Sequence, residues 1–154
     1  LELGSDVPSC VTGGTALAKG RGEQLEKIPS PPACWVILAR PQVSVSTAEI
    51  YRQFDATKTD RERKSQLVKQ AIERQHYEEM CAHMNNMLEE VTLRLYPEVA
   101  RIKDCMQRLG ADGLQMTGSG PTVFGLVKKE SKINKIYNGR RGFCKEVHVV
   151  RILS

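Results

Sequence analysis

The chain has 154 residues, 40% of them hydrophobic and 27% charged, enough for one sizeable core in an ordinary globular composition. Its five cysteines (Cys10, Cys34, Cys81, Cys105 and Cys144) are odd in number and include no Cys-x-x-Cys pair, which argues against a disulfide framework and a zinc site and fits the reduced thiols of a cytoplasmic protein. No apolar run approaches the roughly 20 residues of a spanning helix and no signal-peptide succession opens the chain, while the net charge of +5 suits an anionic partner.

Leu1 is not an initiator methionine, and the chain runs straight into Gly4-Ser5-Asp6 without a strand or helix before it. A segment upstream is therefore expected. Gly13 to Ile28 predicts a hairpin, with arms Thr15 to Lys19 and Gln24 to Ile28 around Gly20-Arg21-Gly22. Pro29-Ser30-Pro31-Pro32 predicts a linker, and the apolar run Cys34 to Ala39 a buried strand that opens a second domain near residue 33. No glycine falls between Gly22 and Gly110 and no proline between Pro41 and Pro97, so this stretch is expected to be mostly helical. Its alternating-sign part, Lys58 to Lys64, reads as a solvated face.

Ser46 with Glu49 has the spacing of a capping box leading into Ile50, Tyr51 and Phe54. Leu67, Val68, Ala71 and Ile72 form a second apolar face, and Tyr77, Met80, Cys81, Met84, Met87, Leu88, Val91 and Leu95 a third. Pro97 starts a further helix that Gly110 ends. Strands are predicted at Gly113 to Thr117, Thr122 to Val127 and Glu146 to Leu153, with a helix over Ser131 to Gly142. This order predicts an α+β fold, a ferredoxin-like four-stranded, largely antiparallel sheet with helices over one face and an expanded first crossover.

Three places carry chemistry. Gly118-Ser119-Gly120, inside Met116-Thr117-Gly118-Ser119-Gly120-Pro121-Thr122-Val123-Phe124, reads as a bend between strands whose amides can face an anion. Asp6, in Gly4-Ser5-Asp6-Val7-Pro8, is a carboxylate beside a Gly/Ser turn; alone it reads first as an Asx-turn or a cap. Thr47 and Tyr51 share a helix face after the loop Pro41-Gln42-Val43-Ser44-Val45, where pattern alone makes Thr47 a near-cap residue and Tyr51 a core aromatic. His76 and His83 lie seven apart without a carboxylate or cysteine partner at ligand spacing, so no metal site is predicted.

With Gly13-Gly14-Thr15-Ala16-Leu17 and Gly20-Arg21-Gly22-Glu23, these motifs resemble the latter part of the 4-diphosphocytidyl-2-C-methyl-D-erythritol kinases, of the GHMP kinase superfamily, from Leu1 to about Leu153. The resemblance implies a GHMP kinase C-terminal domain over residues 34–154 and, in 1–33, a remnant of the ATP-binding domain. It implies ATP and Mg2+, a cytidine diphosphate methylerythritol substrate, and neither nucleic acid nor membrane as partner. It makes Asp6 the general base, Thr47 and Tyr51 substrate-pocket residues near the cytidine, and Thr117, Gly118, Ser119 and Gly120 the loop near the phosphates. Thr117 stands where the family has serine and Ser9 where an aromatic is common. Nothing matches the family's Gly/Ser-rich ATP loop, its N-terminal lysine or its Tyr-His pair, so the chain is expected to be a C-terminal fragment, inactive alone. Another GHMP kinase, of homoserine or mevalonate type, is the alternative. An RNA-binding or regulatory module is disfavoured because Phe124 and Trp35 are the only aromatics expected on strands.

Overall fold

The computed structural model describes residues 16–19, 24–54, 61–140 and 144–152. Strands β1 (Ala16–Lys19) and β2 (Gln24–Lys27) pair antiparallel with Ala16 opposite Lys27, as the hairpin expectation has it. Strand β3 (Cys34–Pro41) runs two residues past its expected end at Ala39.

Helix α1 (Thr47–Gln53) is capped by Ser46, whose Oγ accepts the Glu49 amide at 3.2 Å. The return half of the box does not form. The Glu49 carboxylate pairs instead with Arg52 and Gln53 one turn on, and the Ser46 amide donates to the Tyr96 hydroxyl at 3.2 Å. Helices α2 (Arg61–Glu73), α3 (Tyr77–His83), α4 (Glu89–Leu95) and α5 (Pro97–Arg108) follow. The apolar spacing from Tyr77 to Leu95 is thus divided between two helices. Pro97 sits in the first turn of α5. At its end the Gly110 amide bonds Gln107 O and the Ala111 amide Met106 O, the two bonds of a Schellman stop, with Gly110 at φ +106°.

Strands β4 (Gly113–Met116) and β5 (Val123–Val127), helix α6 (Glu130–Arg140) and strand β6 (Cys144–Ile152) complete the order. The sheet runs β4-β5-β3-β6, antiparallel throughout, which is the ferredoxin-like arrangement with its first crossover expanded. Register alternation assigns the faces. Ile37 and Ala39 of β3, with Val123 and Val127 of β5, meet Val99, Ile102 and Met106 of α5 and Ile133 and Ile136 of α6 in the main core. Cys34 and Leu126 point the other way, where Ala71 and Ile72 of α2 and Tyr77 and Met80 of α3 make a smaller core. The inserted pair α2/α3 therefore covers part of the second face. Among the described residues no helix is long and apolar enough to cross a membrane.

Asp112, just before β4, ties α3 and α6 to the sheet. Its carboxylate accepts the Tyr77 hydroxyl at 2.8 Å, the Lys128 amide at 2.9 Å and the Lys132 ammonium at 3.2 Å. Burial opposes its ionisation, but these donors outweigh burial and hold the carboxyl below its usual range. A depressed folded-state value means that the stabilisation is present above the unfolded carboxyl's titration, about pH 4, and is lost as pH falls through the folded value. Asp112→Asn is expected to cost about 1–2 kcal/mol at pH 7. Paired melting curves against pH check this, and the gap to the unmodified protein should narrow below about pH 4.

Candidate functional site

The loop between β4 and β5 is closed by the Thr117 amide on Thr122 O at 2.8 Å and turned by the Gly120 amide on Thr117 O at 2.9 Å. Gly118 at φ +53° and Gly120 at φ +90° supply the left-handed backbone of the turn, which explains the glycines. Three side chains from other elements fix the loop. Asn86, in the break between α3 and α4, donates from Nδ2 to Met116 O at 2.6 Å and Gly118 O at 2.7 Å, while its Oδ1 accepts the Leu88 amide at 3.0 Å. Thr92 of α4, fully buried, donates to Ser119 O at 3.0 Å. Thr47 of α1 meets Ser119 hydroxyl to hydroxyl at 2.9 Å.

With its carbonyls held from behind, the loop keeps donors free in front. Among the described residues the Gly118 and Ser119 amides have no hydrogen-bond acceptor. A Cβ on Gly118 would meet nothing within 4 Å, whereas one on Gly120 would lie 2.9 Å from Met116 Sδ and 3.1 Å from Thr92 Cγ2. The two glycines thus differ: Gly118 borders open space and Gly120 is packed. Two successive free amides beside open space are suited to an anion's oxygens.

Gly118 also borders a cavity of about 570 Å3, walled further by Tyr51 of α1, Phe54 at its C-terminal end, α2 and the α3–α4 break. Tyr51 is 59% exposed at this cavity. That is the opposite of the core position its helical spacing suggested, because Ile50 takes the inward place with no exposure.

Thr47, Tyr51, Thr117, Gly118, Ser119 and Gly120 are thus brought together at one end of the sheet. Asp6 lies outside the described residues. Sequence reasoning missed Asn86 and Thr92. The Asn85-Asn86 pair inside an apolar helical pattern was the available signal, since such side chains bond backbone in competition with the helix. His76 turns out to be a cap, its Nδ1 accepting the Glu79 amide at 3.1 Å. The described residues hold no trio of His, Cys, Asp or Glu able to bind a metal ion. Burial raises the Cys34 thiol's pKa and pushes that of Cys81 to about 11, so neither is a ready nucleophile. Trp35 and Phe124 fall on opposite faces of the sheet, by the register that sets Trp35 against Val127 and Leu38 against Phe124; they do not form a stacking platform.

Residues 68–146 match the family model described as GHMP kinases C terminal. A 4-diphosphocytidyl-2-C-methyl-D-erythritol kinase of Bacillus pumilus is 57% identical over 153 residues, 99% of this chain and 53% of that protein. The Bacillus subtilis protein of the same name is 53% identical over 99% of the chain and 53% of its own length. The chain spans about half the length of the curated relatives it matches. A crystal structure of 4-(cytidine 5'-diphospho)-2C-methyl-D-erythritol kinase superposes with a TM-score of 0.78 at 25% identity, covering 99% of this chain and 55% of that one. A homoserine kinase from Cytophaga hutchinsonii shares the fold, with a TM-score of 0.75 at 18% identity over 96% of this chain and 50% of that one.

Proposed function

Since the chain belongs to the GHMP kinase family, we propose that it serves a kinase that moves the γ-phosphoryl of ATP to the 2-hydroxyl of 4-diphosphocytidyl-2-C-methyl-D-erythritol, a step of non-mevalonate isoprenoid synthesis. The observation that carries this reading is the Thr47–Ser119 hydrogen bond. It joins the helix bearing the exposed Tyr51 ring to the loop with free amides, so a platform for a base and a cradle for phosphate stand side by side. The relatives' names and their identity over nearly the whole chain support the cytidyl substrate over homoserine or mevalonate. The division at residue 33 into a part of the ATP-binding domain and a C-terminal domain belongs to the same reading.

Transfer to an alcohol requires an in-line hydroxyl, a proton acceptor and donors around the moving phosphoryl. Asp6 accepts the hydroxyl proton, the Gly118 and Ser119 amides face phosphate oxygens, Thr117 contributes its hydroxyl beside them, and Gly120 keeps the turn tight. Tyr51 stacks on the cytosine and Thr47 fixes the helix to the loop. Mg2+ would lower the charge on the ATP phosphates.

The test is transfer of label from γ-labelled ATP by the full-length protein, with the cytidyl alcohol, homoserine and mevalonate compared as acceptors. Label on the cytidyl alcohol is expected; faster labelling of either other acceptor overturns the assignment. Tyr51→Ala should raise KM for the cytidyl alcohol about 10- to 100-fold through lost stacking, with KM for ATP unchanged.

A further inference from the structure

Among the described residues, the cavity beside the loop carries a cation without a counter-charge. Lys64, Lys69 and His83 line it, and among the described residues no Asp or Glu does. Lys69 has its counter-charges, Glu26 at 2.5 Å and Glu73 at 3.7 Å. Lys64 makes no hydrogen bond or ion pair among the described residues. It stands one turn before Val68 and two before Ile72, all three on the stripe of α2 that faces the cavity. His83 and Asn85 line the same cavity from the end of α3 and the break that follows it, and each carries a hydrogen-bond donor. A cation with no carboxylate partner among the described residues draws an anion. The exposed Tyr51 ring on the same cavity, of about 570 Å3, adds a flat apolar surface, so the ligand that fits combines a planar ring with phosphate and is of nucleotide size.

We propose that Lys64, with His83 beside it, binds the diphosphate of a cytidine diphosphate alcohol whose base lies on Tyr51. Lys64 is then a substrate-binding residue on the acceptor side. This rests on the functional reading above. ATP carries the same phosphate chemistry, but Lys64 shares its cavity with the Tyr51 ring, which assigns it to the acceptor.

The experiment uses the full-length protein, unmodified and as Lys64→Gln, Lys64→Arg and Lys135→Gln. The last removes one exposed lysine of α6 that does not line the cavity, as a charge control. Binding of CDP and of cytidine is measured by calorimetry, alongside steady-state kinetics. Lys64→Gln is expected to raise KM for the cytidyl alcohol about tenfold and to shrink the ratio of CDP to cytidine affinity about tenfold, the size of one charge-assisted hydrogen bond. Cytidine affinity and KM for ATP should stay near the unmodified values, Lys64→Arg should recover most of the loss, and Lys135→Gln should change nothing. If the alcohol is phosphorylated but Lys64→Gln keeps the CDP-to-cytidine ratio, or raises KM for ATP instead, this inference alone is overturned. If the unmodified protein binds neither cytidine nor CDP and leaves the alcohol unphosphorylated, the functional reading falls and takes this inference with it.

Discussion

Asp6→Asn in the full-length protein is expected to lower kcat by about 10²- to 10⁴-fold while KM for the cytidyl alcohol stays near its original value. Asparagine keeps the shape of aspartate and can still receive a hydrogen bond, so the substrate remains bound. It cannot take a proton at neutral pH, so the loss falls on the step in which the hydroxyl attacks. The range corresponds to roughly 3–5 kcal/mol of barrier. A turn-forming role for Asp6 predicts the reverse, because asparagine makes an Asx-turn as well as aspartate does. Activity would then hold and only the melting temperature would move. A kcat within about threefold of the unmodified enzyme, far short of the general-base range, removes Asp6 from the mechanism.

The second large effect concerns the two glycines of the loop, which should respond in opposite ways. Gly120→Ala is expected to destabilise the protein by about 2–4 kcal/mol, combining a left-handed backbone at φ +90° with overpacking. Its Cβ would press on Met116 and Thr92, both fully buried. Because Thr92 also holds Ser119 O, the displacement is passed to the free amides and activity should fall with stability. Gly118→Ala meets open space and bears only the backbone cost at φ +53°, about 1 kcal/mol. Its methyl group would stand where a phosphate oxygen is proposed to approach. Denaturant melts and steady-state kinetics on both variants separate the two roles: Gly118→Ala should be nearly as stable as the original and impaired in turnover. Equal loss of stability at both positions would contradict the distinction.

Most of the framework was legible because its punctuation is local. Ser46, Pro97 and Gly110 mark helix ends by side-chain or backbone properties that need no distant partner, and each end falls where it was read. The division of Tyr77–Leu95 into α3 and α4 was not legible from periodicity. Tyr77, Met80, Leu88 and Val91 are buried as their spacing predicts, but the backbone breaks between them where Asn86 reaches across to Met116 O and Gly118 O, and nothing local announces those acceptors. The same limit applies to Tyr51. Its spacing is that of a core residue, and only the packing of Ile50 beneath α1 decides which of the two neighbours faces outward. Lys64 looked like part of a solvated run of alternating charge; its place on a cavity wall depends on α1 and the α3–α4 break standing opposite α2.

The strand order bears on how the chain comes to be made. Strand β3 is synthesised first of the four in the main sheet, yet its neighbours are β5 and β6, with Ile37 opposite Gly125 on one side and Val149 on the other. While the ribosome is still translating the first crossover, β3 has both edges open and a run of apolar side chains, Cys-Trp-Val-Ile-Leu-Ala, without a partner. Closing those pairings spans most of the domain's length, which favours slow folding. The wait ends only as β6, at the carboxyl end of the sheet, leaves the exit tunnel. A premature stop before β6 would therefore leave the central strand with one edge bare, a template for association with other nascent chains.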